Sequence, residues 1–178
     1  MADYLLDTNI VTYWYNRKCP QNKNVINKIT QVRQPDPQTG YVSRILISVV
    51  TLAEVEYGHK VTASPDPEAQ TAYRKFIAEE LPPALEIPRL VHEPYALLRS
   101  WLFNNFSSKH LRTRAKRPEE LVNPTTAREL GIDENDLWIA AHAALYNLVL
   151  VTADGLANLK EAINGAGVGP ELEDWTKT

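Results

Sequence analysis

Four carboxylates stand where this chain changes character. Asp7 follows the apolar Tyr4-Leu5-Leu6, Glu54 follows a β-branched run at 45–50, Asp136 heads an apolar helical pattern, and Asp154 follows the run at 148–152. Drawn together they would repel, each like-charge pair at ~4 Å costing about 4 kcal/mol at an effective dielectric of ~20. No lysine or arginine falls within LLDTN, TLAEVEYG, ENDLWIAA or LVLVTAD. A hard divalent cation held through oxygen, Mg2+ or Mn2+, is the natural counter-charge, and phosphodiester hydrolysis is the chemistry it would serve. Each acid also has a plainer reading. Asp7 and Asp154 can be helix caps, Glu54 the reciprocal member of a capping box with Thr51, and Asp136 a residue favouring a helix amino end.

The elements that must position these residues follow from hydrophobic period. Residues 4–6 form a short buried strand, and Asp7-Thr8-Asn9 caps a helix through Val11, Tyr13 and Trp14. Residues 17–41 are polar and hold Pro20, Pro35, Pro37 and Gly40, which predicts a helix-and-loop excursion without deep burial. A second strand at 45–50 leads to a helix expected to start from the Thr51–Glu54 capping box and to weaken or end at Gly58. A helix over 67–81, with Ala72, Phe76 and Leu81 inward, is stopped by Pro82-Pro83. A third strand at 85–87 and a helix over 90–103 come next, and 104–131, with Pro118 and Pro124, reads as a long inserted loop. A helix over 133–146 runs straight into a strand at 148–152; Asp154-Gly155 opens a short helical turn, and 172–175 forms an edge strand.

Strands alternating with helices imply a single α/β domain over 1–178 with a mainly parallel central sheet and insertions at 17–41 and 104–131. Ligands of such sheets sit at the carboxyl edge of the strands. Asp7, Glu54 and Asp154 fall on that edge. Asp136 reaches it separately, because the 133–146 helix must pack antiparallel to the strand that follows it.

Composition narrows the function classes. With 178 residues, 44% hydrophobic and 23% charged, the chain can bury a substantial core. Its net charge of -3 argues against general polyanion binding over the surface. The lone Cys19 forms no internal bridge or thiolate metal site, and the four histidines are too scattered for a zinc cluster. A reducing cytoplasm is the expected compartment, since neither a signal peptide nor a membrane span is evident. The GAGVG segment at 165–169 reads as a turn, not a phosphate cradle.

The blocks LLDTNI, ISVVTLAEVEYG, NDLWIAAHA, LVLVTAD and ELEDW, in this order, resemble the PIN-domain ribonucleases, and in particular the VapC-type toxins of toxin-antitoxin pairs. The resemblance implies a PIN-like α/β/α sandwich and Mg2+- or Mn2+-dependent endonuclease activity on RNA. It also implies a homodimer restrained by a separate antitoxin protein. The family's acidic residues fall on Asp7, Glu54, Asp136 and Asp154, with Thr8, Asn9 and Thr152 in supporting positions and Asn135 and Asp133 bordering the site. Asp7, Asp136 and Asp154 would hold metal; Glu54 would either join a second metal or orient the attacking water. A catalytically silent binding module would show a damaged acidic set, and an aspartyl-phosphate enzyme would want a second aspartate where Asn9 stands.

Lys109, Arg112, Arg114, Lys116 and Arg117 form a basic cluster in the second insertion. It is expected to clamp an RNA backbone beside the acidic edge; its plainer reading is a solvated loop. His110 belongs to that loop, and His142, in the apolar helix, reads as a structural histidine.

Overall fold

In the computed structural model, which describes residues 2–64, 66–107, 117–154 and 156–177, four parallel strands lie in the order β2-β1-β3-β4. They are β1 (Tyr4–Leu6), β2 (Ile45–Ile47), β3 (Val149–Val151) and β4 (Leu172–Glu173). Leu5 pairs with Leu46 and Leu150, and Leu6 with Ile47 and Val151. Because successive strand side chains face opposite ways, Leu5, Leu46 and Leu150 enter one core while Leu6, Ile47 and Val151 enter the other. Both faces are covered, as an all-parallel sheet requires.

Among the described residues seven α-helices supply that cover: α1 (Thr8–Tyr15), α2 (Asn22–Val32), α3 (Val49–Val61), α4 (Pro67–Glu80), α5 (His92–Phe106), α6 (Glu134–Leu145) and α7 (Leu156–Ala166). The core containing Leu5 is filled by Leu98 and Leu102 of α5, Leu137 and Ala140 of α6, and Leu159 and Ala162 of α7. The opposite core takes Ile10 and Trp14 from α1, Val25 and Ile29 from α2, and Tyr73 from α4. The result is an α/β/α sandwich. Among the described residues no helix is long and apolar enough to cross a membrane.

Several local expectations need correction. The cap of α3 is Ser48, whose Oγ accepts from the Val50 N–H, so Thr51 is not its cap; it is buried, with its hydroxyl toward the Leu6 carbonyl. Gly58 lies inside α3, which continues to Val61. Ala72 is exposed, and Tyr73, Phe76 and Ile77 form the inward stripe of α4. The 17–41 excursion is anchored deeply, since Val25 and Ile29 are buried and the Asn22 amide donates to the Tyr13 and Trp14 carbonyls. Residues 85–87 contribute only an isolated bridge from Leu85 to Ser48.

The described part of the second insertion is ordered by its own apolar anchors. Leu121 and Leu130 are buried, Val122 bridges Glu129, and the Asn158 amide of α7 donates to the Leu130 carbonyl. Lys109, Arg112, Arg114 and Lys116 lie outside the described residues, whereas Arg117 is described and exposed. Asp154 leads to a full helix, α7, not a short turn, and Gly165 sits within it: a Cβ there would come within 2.2 Å of the Trp101 indole.

The last strand is held by Trp175, which is fully buried, packs 5.1 Å from the Tyr4 ring and donates from Nε1 to Glu173. Trp175→Ala is expected to cost about 3–5 kcal/mol in urea unfolding. A loss below about 1 kcal/mol would show that β4 is not locked by this side chain.

Candidate active site

Each carboxylate reaches the sheet's carboxyl edge by a different route. Asp7 leaves β1 as the amino-terminal cap of α1, and its backbone N–H still donates to the Val151 carbonyl of β3. Thr152 and Asp154 follow β3 directly, so the β1/β3 junction carries acids from both strands. Glu54 projects from α3, whose start is fixed from below: the buried His142 ring meets the Ser48 hydroxyl through Nδ1 at 2.8 Å. That contact gives His142 the structural role expected of it.

Asp136 arrives on α6. Asp133 caps that helix by accepting from the Asp136 N–H at 2.9 Å, and Asp136 Oδ2 accepts from the Asp133 N–H at 2.7 Å. This is a reciprocal capping box, so the helix-end reading of Asp136 holds together with its place at the edge. At the far end Asn147, with φ of 52°, turns the chain back into β3, setting α6 antiparallel to that strand.

Neutral donors hold the acids in place. Asp7 accepts from the Thr8 N–H (2.7 Å), the Asn9 amide (2.9 Å) and the Thr152 hydroxyl (2.7 Å). The same Asn9 amide donates to Asp154 at 2.9 Å, bridging the two aspartates. Glu54 is gripped by the Thr8 hydroxyl and by the Asn135 amide, the latter at 2.9 Å. All four supporting residues expected from the sequence therefore touch the acidic set.

Asp7, Glu54, Asp136 and Asp154, with Thr8, Asn9 and Asp133, line one open cavity of about 730 Å3. Its wall also includes residues the sequence reading did not single out: Glu119 and Glu129 from the second insertion, and Thr12 and Tyr13 from α1. Tyr13 was discoverable, since it lies one helical turn beyond Asn9. The insertion glutamates carry no local signal, because only the folded strap brings them over. Among the described residues no lysine, arginine or histidine lines the cavity.

The charge is therefore poorly compensated. Burial pushes the Asp7 carboxyl up to about 6; hydrogen bonds from Thr152 and Thr8 oppose the shift, and repulsion from Glu54 and Asp154 adds to it. Asp136 is pushed up to about 8, again chiefly by burial, with repulsion from Asp133, Asp7 and Glu54 behind it. Tyr13 is raised by burial and then by the nearby Asp154. No three described His, Cys, Asp or Glu side chains form a ready ligand group as they stand, each acid being turned to its neutral donors. The chemistry of the donors nevertheless fits a hard divalent cation, being all oxygen, crowded, partly desolvated and short of positive charge.

Comparison with known proteins agrees with this architecture. The chain is similar in structure to VapBC2 from Rickettsia felis bound to a DNA fragment from their promoter (23% identity, 97% of this chain and 98% of that one, TM-score 0.65). It is likewise similar to VapBC-1 from nontypeable Haemophilus influenzae (24%, 98% of each chain, TM-score 0.63). A third similar structure is VapBC-5 from Mycobacterium tuberculosis, a member of the VapBC family of toxin-antitoxin systems (24%, 98% of each chain, TM-score 0.50). No curated protein matches the chain. The PIN domain profile matches residues 4–156, a span that runs from β1 through Asp154 into the start of α7, and the chain therefore belongs to the PIN domain family.

Proposed function

We propose that the chain is a divalent-metal-dependent endoribonuclease and the toxin of a toxin-antitoxin pair. The observation that carries this reading is the cavity itself, where carboxylates from four separate segments converge without a described cation among them. Membership of the PIN family and the likeness in fold to VapBC structures support it. A silent binding module is the weaker reading, because the acidic set is complete.

In this reading Asp7, Asp136 and Asp154 hold Mg2+ or Mn2+, with Glu54 either joining a second ion or orienting water. Bound there, the cation supplies charge for a phosphate oxygen and acidifies water. The chain's own residues do the rest. Asn9 and Thr152 fix the Asp7 carboxylate, while Thr8 and Asn135 aim Glu54 at the cavity, where a carboxylate can accept a proton from water. Lys109, Arg112, Arg114, Lys116 and Arg117 draw in the RNA backbone; Arg117 lies two residues before Glu119, which lines the cavity. A separate antitoxin, a homodimeric assembly and a cytoplasmic location complete the proposal.

Asp7→Asn and Asp136→Asn are expected to lower RNA cleavage by at least ~100-fold while leaving the fold intact, since an amide oxygen can still accept the capping hydrogen bonds. Gel assays of single-stranded RNA with added Mg2+ or with excess chelator read this. Full activity in chelator, or in either variant, would contradict it.

Charge repulsion also sets a pH dependence. Both carboxyls titrate higher folded than unfolded, so the native state holds protons that the unfolded chain releases from about pH 4 upward. Stability in metal-free buffer should therefore fall as pH rises from 5 through about 6 and 8. The Asp7 share is about 2–3 kcal/mol. Melting curves are expected to show this decline, its reversal by Mg2+, and a higher metal-free Tm for Asp7→Asn at pH 8. A Tm that rises steadily from pH 5 to 9 without metal would show that the acids are compensated.

A further inference from the structure

We propose that Tyr13 is a nucleobase platform, stacking a base next to the scissile phosphate and thereby favouring unpaired RNA. This rests on the ribonuclease reading and names how that site takes hold of its substrate. Seven carboxylate residues line the cavity, and Tyr13 is the one aromatic side chain among the described residues that line it. It stands on α1 one turn beyond Asn9, whose amide bridges Asp7 and Asp154, so the ring is fixed relative to the acids that would face the phosphate.

The ring is also uncommitted. Its neighbours Trp14 and Tyr15 are paired with Phe76 and with Tyr73 and Phe76 respectively, whereas no described aromatic ring pairs with Tyr13. It is half-buried and packs against the core of Ile10 and Trp14 while lining the cavity, which braces it at little further entropic cost. Carboxylates repel phosphate and give a base nothing to stack on. Single-strand sites combine backbone attraction with aromatic platforms, and each stacked base there contributes substantially to binding. A base already stacked inside a duplex cannot be laid on this ring, so unpaired RNA is the class of substrate that fits.

The test compares a single-stranded RNA oligonucleotide with versions carrying an abasic ribonucleotide immediately 5′ or 3′ of the cleaved bond. Each is assayed with wild type, Tyr13→Ala, Tyr13→Leu and Tyr13→Phe, with thermal melts as a check on folding. Tyr13→Ala and Tyr13→Leu are expected to raise KM about ten-fold or more with kcat little changed, and Tyr13→Phe to stay near wild type. On one of the abasic substrates wild type should suffer the same loss, and Tyr13→Leu should add none. Independent, multiplying losses would overturn the platform, as would an unchanged KM in Tyr13→Leu or a Tyr13→Phe defect equal to that of Tyr13→Leu. If the alanine variant fails to fold, the abasic substrates on wild type decide alone: no rise in KM at either position overturns it. Absence of any RNA cleavage by wild type would instead overturn the ribonuclease reading beneath it.

Discussion

Crowding of negative charge at the carboxyl edge of a parallel sheet is the constraint around which the rest of this structure is arranged. Burial and mutual repulsion push Asp7 up to about 6 and Asp136 up to about 8. The helix amino termini that receive them, α1 for Asp7 and α6 for Asp136, favour negative charge. That favour is outweighed, because both carboxyls remain displaced upward. A domain that only needed helix caps could satisfy them with serine or asparagine at no such electrostatic cost.

What holds the acids together is a set of neutral donors. Asn9, Thr152, Thr8 and Asn135 fix orientation without cancelling charge, and among the described residues no cationic side chain lines the site. The support extends deeper: the His142–Ser48 contact ties the body of α6 to the start of α3, coupling the helix that carries Asp136 to the one that carries Glu54. The two cores then clamp these helices on either side of strands only two or three residues long. Short strands suffice because the sheet is buried on both faces, with Trp175 packed on Tyr4 in one of the two cores.

Much of this was legible in the sequence because it is local. The strand-cap-helix pattern at Leu6-Asp7-Thr8 and the direct run from α6 into β3 each dictate placement by short-range chemistry and chain direction. Boundaries were less legible where two signals compete. Thr51–Glu54 has capping-box spacing, but Ser48 lies where β2 ends and its hydroxyl captures the Val50 N–H first. Gly58 is tolerated within α3 because the helix continues beyond it to Val61. Least legible was anything that depends on tertiary closure. Glu119 and Glu129 line the cavity only because Leu121 and Leu130 anchor the strap that carries them. The depth of α2 is likewise set by its packing against α1 and not by its polar composition.

The claim that this charge imbalance exists to be met by a divalent cation is tested most directly by titrating Mn2+ into the metal-free protein by isothermal calorimetry near pH 7.5. Saturable binding by wild type, lost or strongly weakened in Asp7→Asn and Asp136→Asn variants that remain folded, is the result expected. No saturable binding by wild type, or equal binding by the variants, would contradict it.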